Sequence, residues 1–351
     1  MPVEFPVLEH STYLNTAYVG LMPQGLLDFR AQQESRYWQM ADDYKIDAYE
    51  KLPLYHQNLA DFLHADPDYC YVVPNFSEGI RHLFNHLPKQ FKVLSFLGDY
   101  HSLTAALNEY DFSCKRVPMG HQAEKQLLEA LRAEHFDVLV LSIVQYISGL
   151  KIDFNVLNQI KTEFPELLII GDATQFLGTS EFNFEQSAFD GIVGSGYKWL
   201  LAGFGNGFCA LKKDFFRRTQ TQPDALKERI YAGHFNILAA ASLDYAIRQL
   251  TPEVAAERYR AIDQLSRVFH QSLLENEWLL DPELGQRSPS SIFLLKGNQT
   301  TFDHLQKENI RCSLRGEGVR ISVHFYNSEN DLDRLVEVLK KLPQPTVQTA
   351  T

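Results

Sequence analysis

Cysteine is scarce and scattered in this 351-residue chain: Cys70, Cys114, Cys209 and Cys312 are the only four, and none stands in a CxxC pair. That spacing disfavours a zinc site or a disulfide framework and suits a reducing, cytoplasmic setting. Positive charge is in deficit too. Lys and Arg number 33 against 44 Asp and Glu, a formal net charge of −11, whereas a nucleic-acid partner calls for clustered cations against its phosphates. No apolar run approaches the roughly 18 residues needed to cross a bilayer. The first residues, Met1-Pro2-Val3-Glu4-Phe5, show no basic stretch followed by an apolar one, so no secretory signal is read there. Internal repeats and low-complexity linkers are missing, and the polar tail Gln344–Thr351 reads as a frayed end. What remains is ordinary globular usage, 45% hydrophobic and 22% charged, in a chain long enough for one large and one smaller domain.

The first stretch is largely helical and includes a predicted helix over Tyr44–His64. From about residue 69, short apolar runs alternate with amphipathic segments. Strands are expected at Tyr69–Val73, Lys92–Leu97, Asp137–Ile143 and Leu167–Ile170, with two more at Gly191–Gly194 and Gly207–Leu211. Helices are expected after Ser77, where Ile80, Leu83, Phe84 and Leu87 form a stripe, and over Ser102–Tyr110, Phe154–Phe164 and Asn236–Leu250. Runs that are apolar throughout suit strands buried on both faces of a mainly parallel sheet, whose ligand-binding loops gather at one edge. The pattern then changes. Helix Pro252–Asn276, strands Ser291–Lys296 and Val319–Phe325, and helix Glu329–Leu342 read as a separate α+β unit. The expected division is a large α/β domain over residues 12–250 and a small one made of 1–11 plus 251–351.

Four segments carry candidate chemistry. Leu168-Ile169-Ile170-Gly171-Asp172-Ala173-Thr174-Gln175 ends an apolar strand in a carboxylate. Gly194-Ser195-Gly196-Tyr197-Lys198-Trp199-Leu200 sets a lysine in an apolar run, and a desolvated lysine becomes a good amine nucleophile. Pro74-Asn75-Phe76-Ser77-Glu78-Gly79 opens a helix, where Ser77 either caps the helix or joins backbone N–H groups in binding a phosphate. In Gly318–Asn327, Arg320 stands on an alternating strand and either pairs with a structural carboxylate or binds a ligand's carboxylate. Pyridoxal 5′-phosphate (PLP) requires both a lysine and an acid near its pyridine nitrogen. Asp172 and Lys198, on successive sheet-edge loops, answer that requirement together.

With those residues on the page, the chain resembles the class V aminotransferase-type PLP enzymes, a group that includes cysteine desulfurases, selenocysteine lyases and isopenicillin-N-epimerase-like proteins. The likeness runs from Tyr13-Leu14-Asn15-Thr16-Ala17 to Tyr326-Asn327-Ser328-Glu329-Asn330-Asp331, and is most specific at Asp172–Gln175 followed by Ser195–Leu200. It implies the aspartate-aminotransferase-like fold, fold type I, and a homodimer acting on an amino acid as its small-molecule substrate. It also implies that Lys198 holds PLP as a Schiff base, Asp172 meets the pyridine nitrogen and Gln175 faces the ring hydroxyl. Ser195 and the Phe76–Ser77 turn bind the phosphate, Phe76 through its backbone N–H alone. Tyr197 replaces a histidine common before the lysine. Tyr100, or His101 beside it, stacks on the ring. Arg320 grips the substrate α-carboxylate, with Asn15 and Ala17 on the substrate side. Ala232-Gly233-His234-Phe235-Asn236 resembles a loop lent to the partner's phosphate site, with His234 in place of a hydroxyl residue.

One departure bears on the reaction. Cysteine desulfurases carry a nucleophilic cysteine on a flexible loop before the carboxylate-binding arginine. Here the linker Arg311–Gly318 is short and Cys312 sits near its start, so a structural thiol is the expectation. The missing loop leans the reading toward an aminotransferase, with a cysteine or selenocysteine lyase or an epimerase as the alternative. Two rivals fit less well. Gly203-Phe204-Gly205-Asn206-Gly207 precedes a predicted strand, where a dinucleotide fingerprint follows one. An inactive PLP-fold binding protein has no physical reason to keep Lys198, Asp172, Gln175 and Arg320 together.

Overall fold

The apolar runs become the strands of one large sheet. The computed structural model describes residues 5–284 and 289–342, so the tail at Gln344–Thr351 and residues 1–4 fall outside it. In chain order its strands are β1 Thr12–Tyr13, β2 Cys70–Val73, β3 Lys92–Leu97, β4 Ser113–Pro118, β5 Val138–Ser142, β6 Leu168–Asp172, β7 Gly191–Ser195, β8 Gly207–Leu211, β9 Ile292–Lys296, β10 Ile310–Arg311, β11 Ser313–Arg315 and β12 Gly318–Ser322. Seven form a sheet ordered β2-β8-β7-β6-β5-β3-β4. Its pairs are parallel except those of β8, which runs against both β7 and β2. Two reversals restore direction, so β2, β3, β5, β6 and β7 all end at the same edge.

Both faces of this sheet are covered, which explains why its strands read apolar throughout. Along β5, Leu139 and Leu141 point into a cluster with Leu59, Leu127, Leu157 and Leu243, while Val138 and Val140 point into one with Ile80, Leu83, Leu103 and Phe215. Alternate residues of a strand face opposite ways, and helices meet each side. A third cluster, around Phe269, Phe293, Leu295, Val319, Ile321 and Leu335, packs the β11-β12-β9 sheet against helices Pro252–Glu275 and Glu329–Lys340. Thr12–Tyr13 pairs with β10 of this layer.

Three expected elements differ. The helix expected over Tyr44–His64 is two, Asp42–Glu50 and Leu52–Leu63. Pro53 stands in the first turn of the second, where its missing N–H costs nothing, but it cannot continue the first. The helix after Pro74 is capped by Asn75, whose side chain accepts from Glu78 N at 2.9 Å, so Ser77 is not the cap. Strand β12 stops at Ser322 and not at Phe325, because the Asn327 side chain accepts from His324 N and turns the chain.

That turn buries His324, and packing buries His56 against Tyr231, whose hydroxyl lies 2.6 Å from His56 Nε2. Burial pushes His324 down to about 3 and His56 to about 4. Below pH 6.5 the unfolded chain therefore takes up protons that the folded chain refuses, and stability falls with pH. Each histidine approaches about 1.4 kcal/mol per pH unit as its unfolded form becomes fully protonated, so the pair removes about 3 kcal/mol between pH 6.5 and 5. Denaturant melts across that range should show a shallower acid slope in His324→Gln, whose amide still reaches the Trp199 carbonyl; an unaltered slope would exclude His324 as a source.

Candidate active site

Five segments converge at the shared strand edge, as ligand sites in α/β sheets do. Asn75–Ser77 follows β2, Tyr100 follows β3, Tyr146 follows β5, Asp172–Gln175 ends β6, and Ser195–Lys198 ends β7. Lys198 lies at the centre and is only 7% exposed. Its Nζ sits 5.6 Å from the Tyr197 ring and 6.0 Å from the Tyr100 ring, and makes no hydrogen bond or ion pair among the described residues. Burial lowers its affinity for a proton, with Arg320 and Arg315 adding to the effect against the opposing pull of Asp172. The result is an amine poised near neutrality, the condition for a nucleophile or proton carrier.

The loop that carries Lys198 is tightly tied. Gly196 N donates to Asn206 O, Ala202 N to Gly196 O, and Asn206 Nδ2 to Ala202 O. Leu201 is held at φ 56°, a left-handed conformation that non-glycine residues rarely adopt. The N-terminal segment crosses this loop at Gly20, where an added Cβ would lie 2.0 Å from Lys198 O. Only glycine permits that approach.

Asp172 is buried, and its Oδ1 accepts from Thr174 N at 2.9 Å. Burial raises its pKa first, nearby Asp99 adds to this, and Lys198 opposes it. Asp99 is itself spent on structure, accepting from Ser142 N, Ser142 Oγ and Tyr100 N. Thr174 Oγ1 accepts from Ser195 N at 3.2 Å, and Ser195 Oγ accepts from Phe76 N at 3.0 Å. Phe76 and Ser195 are therefore joined directly at the start of helix Phe76–Phe84, and the Ser77 hydroxyl is uncommitted among the described residues.

Gln175 bridges two elements: Nε2 donates to Ala17 O and Oε1 accepts from Trp199 Nε1, both at 2.9 Å. The second hydrogen on Nε2 stays available. Trp199 is clamped in turn by His324, which lies stacked on it at 5.5 Å and bonds its carbonyl at 3.1 Å. Of the two ring candidates, Tyr100 faces Lys198 and its neighbour His101 is exposed.

Arg320 is 2% exposed on β12. Its Nη1 donates to Tyr146 O at 2.5 Å, while Nε and Nη2 are buried without a partner. No acid pairs with it among the described residues, so the salt-bridge alternative is set aside. Nε and Nη2 form the side of the guanidinium that takes a carboxylate by two parallel bonds. Leaving them unmet costs roughly 1–3 kcal/mol or more for a charged group, which argues for a carboxylate ligand. Asn15 Oδ1 accepts from Ser313 Oγ at 2.7 Å, and Ala17 N donates to Ser322 Oγ at 2.9 Å. Both thus stand between the small sheet and the Lys198 loop, Ala17 through its backbone.

His234 is not brought to this cluster; its bond is to the Tyr49 hydroxyl at 3.1 Å. Cys312 is buried beside Gln306, and burial pushes its thiol up to about 12, as a structural thiol requires. Residues that the sequence reading missed are Thr174, Tyr146, Trp199, His324 and Arg315. Thr174 and Trp199 lay inside the motifs already singled out; Tyr146 was signalled only by following an apolar strand to the same edge.

These residues fit PLP. A buried amine without a partner faces a buried carboxylate, beside an aromatic ring and a helix start that carries a hydroxyl. Among the described residues no group of His, Cys, Asp and Glu is arranged to hold a metal ion, and no helix is long and apolar enough to cross a membrane.

No protein-family model and no curated protein matches the chain. Solved structures do. A complex of the cystine C–S lyase C-DES with its reaction product cysteine persulfide is 16% identical, with TM-score 0.84 over 95% of this chain and 99% of that one. Cysteine desulfurase from Thermococcus onnurineus NA1 is 18% identical, with TM-score 0.80 over 97% and 98%. A NifS-like protein from Rickettsia africae ESF-5 is 16% identical, with TM-score 0.76 over 95% and 99%. The chain has the fold of these proteins, the expected fold-type-I α/β architecture with a large, mostly parallel sheet.

Proposed function

We propose that the chain is a PLP-dependent enzyme acting on an amino acid, with Lys198 holding the cofactor, and that its reaction is cleavage of a Cβ–S bond. The observation that carries the reading is the buried, partnerless Lys198 amine facing Asp172, with the unpaired side of Arg320 on the small sheet. Asp172 would hold a proton at the pyridine nitrogen and Gln175 Nε2 would donate to the ring hydroxyl. Ser195 and Ser77, the latter with its own N–H, would hold the phosphate, since Phe76 N and Glu78 N are already donated to Ser195 Oγ and Asn75 Oδ1, and Tyr100 would cover the ring. Bound PLP supplies an electron-poor ring that accepts the electron pair left at Cα. The lowered proton affinity of Lys198 lets Nζ take the Cα proton and hand it to the departing sulfur. Arg320 fixes the α-carboxylate.

The choice of a lyase departs from the lean toward an aminotransferase. That lean rested on the missing cysteine loop, but the loop does not discriminate: a sulfur that leaves on a small molecule needs no enzyme thiol. All four cysteines stand apart from the cluster, with Cys70, Cys209 and Cys312 buried and Cys114 on the outermost strand β4. C-DES, which shares the fold over 95% of this chain, is a C–S lyase, and one of its structures has glycine linked to a PLP cofactor. The balanced reaction takes a thioether, disulfide or thiol of cysteine plus water to pyruvate, ammonia and the sulfur fragment, released as a thiol, a persulfide or hydrogen sulfide respectively. Product analysis separates the readings. Pyruvate and ammonia without a 2-oxo acid support the lyase; turnover that requires a 2-oxo acid and yields no ammonia would replace it with transamination.

A homodimer belongs to the same proposal. Tyr18, Leu27, Trp38 and Phe204 expose large apolar surfaces, Trp38 at 84%, and Phe204 touches the Tyr197 ring at 5.3 Å. Exposed apolar area continuous with a site suits a partner subunit, with His234 reaching the partner's phosphate. Sedimentation should give a dimer at micromolar concentration; a fully active monomer would refute it.

The Arg320 assignment makes its own demand. Arg320→Lys exchanges a two-bond fork for a point charge, so kcat/KM for a carboxylate-bearing substrate should fall roughly tenfold to a thousandfold, about 1.4–4 kcal/mol. An amine without a carboxylate should lose little. Equal losses on both, with a lowered melting point, would make Arg320 structural.

A further inference from the structure

Outside the Lys198 cleft the chain holds a second lysine without a partner. Lys151 comes shortly after β5, its backbone bridged to Val144, and its side chain is largely buried. Its Nζ lies over the Phe176 ring at 5.5 Å and makes no hydrogen bond or ion pair among the described residues. Burial lowers its proton affinity, against the pull of Asp263 and with a push from Arg267. A cation taken out of water without a counterion is costly.

Lys151 lines a cavity of about 270 Å³ between the large sheet's layer and helix Pro252–Glu275, with Gln175, Ser180, Tyr259, Ser266 and Ser291 on its wall. None of Lys198, Asp172, Tyr100 and Arg320 lines it. The wall hydroxyls can donate to an anion. Two acids also border the cavity: Asp263 is held by Arg267 at 2.9 Å, and Glu181 is exposed. Arg260, exposed on the same wall, bonds Ala256 O at 3.2 Å and no acid among the described residues. Lys151 and Arg260 thus stand against one unpaired carboxylate.

Ser180, Glu181 and Tyr259 border a second space as well, of about 530 Å³. Its wall is largely apolar, built from Phe62, Leu177, Phe182, Ile247, Leu250 and Ala255. Of the other charged groups on it, Arg248 bonds Asp244 at 2.9 Å and Asp61 accepts from Gln57 at 2.7 Å. A cation with hydroxyls on one side of the shared wall and hydrocarbon on the other suits a molecule that is anionic at one end and apolar along the rest.

We propose that this seam binds a medium-chain carboxylic acid, its carboxylate on Lys151 and the hydroxyls and its alkyl chain in the apolar groove. Such a ligand joins the large sheet's layer to helix Pro252–Glu275. It also lies against Gln175, which bonds Ala17 and Trp199 beside Lys198.

Calorimetric titration of the PLP-loaded protein with acetate, butyrate, hexanoate and octanoate tests this without turnover. Affinity should rise by about threefold to fourfold per methylene, as burial of each CH₂ provides. Hexanoate should bind roughly tenfold or more tightly than hexanamide, its uncharged counterpart. That preference should collapse in Lys151→Gln and largely persist in Lys151→Arg, with melting curves confirming that each variant is folded. Ala256 is an exposed residue of the groove, and Ala256→Trp should flatten the chain-length series. No rise with chain length, or a hexanoate preference that survives Lys151→Gln, overturns the assignment. So does loss of hexanoate binding in Arg320→Gln with Lys151 intact, which would return the ligand to the amino-acid site.

Discussion

Lys198→Ala should lose turnover by on the order of a thousandfold or more, the range seen when a positioned proton-transfer group is removed, while its fold and melting temperature hold. The two halves of this expectation have different physical grounds. Turnover fails because among the described residues no other amine stands in the cleft. The fold survives because the Lys198 side chain makes no bond that the structure relies on; the loop is tied through backbone atoms of Gly196, Lys198, Ala202 and Asn206. Removing a buried, unpaired amine also relieves a desolvation cost. Activity assays and melting curves on the same preparations check both halves. A variant that keeps wild-type turnover removes Lys198 from the chemistry, and one that unfolds makes its role structural.

Asp172→Asn should retain bound cofactor and lose turnover by on the order of a hundredfold or more, the scale on which enzymes lose charge-stabilising groups. Asparagine keeps the shape and an oxygen to accept from Thr174 N, and Ser195 still donates to Thr174 Oγ1, so the β6 and β7 ends stay in register. What it removes is the negative charge proposed to keep the pyridine nitrogen protonated. Direct titration of PLP alongside steady-state rates distinguishes the two effects. Near-normal turnover with normal binding would contradict the role given to Asp172.

Much of this was legible in the residue order. Leu168–Ile170 and Gly191–Gly194 are apolar without alternation because both faces of their sheet are covered, so the strands, and the chemistry at their ends, could be read directly. The spacing of Asp172 and Lys198 likewise needed only successive strands ending at one edge. Three kinds of feature were hidden. The antiparallel run of β8 leaves no mark on a strand buried on both sides. Arg315 became visible only with the β11–β12 register, since a slip of one residue would turn it to the other face. His324 clamps Trp199 across a gap of 125 positions, and only the turn made by Asn327 brings them together. Arg320 was legible as a residue type but not as a role; its two unmet N–H groups favour a ligand over an ion pair.

The central claim is that Lys198 is the residue that joins the cofactor. Incubating the protein with PLP, reducing with borohydride and mapping the peptides by mass tests it most directly. The expected result is a single stoichiometric modification on the peptide containing Lys198, absent in Lys198→Ala. Modification spread over surface lysines, or equal labelling of the Lys198→Ala chain, would contradict it.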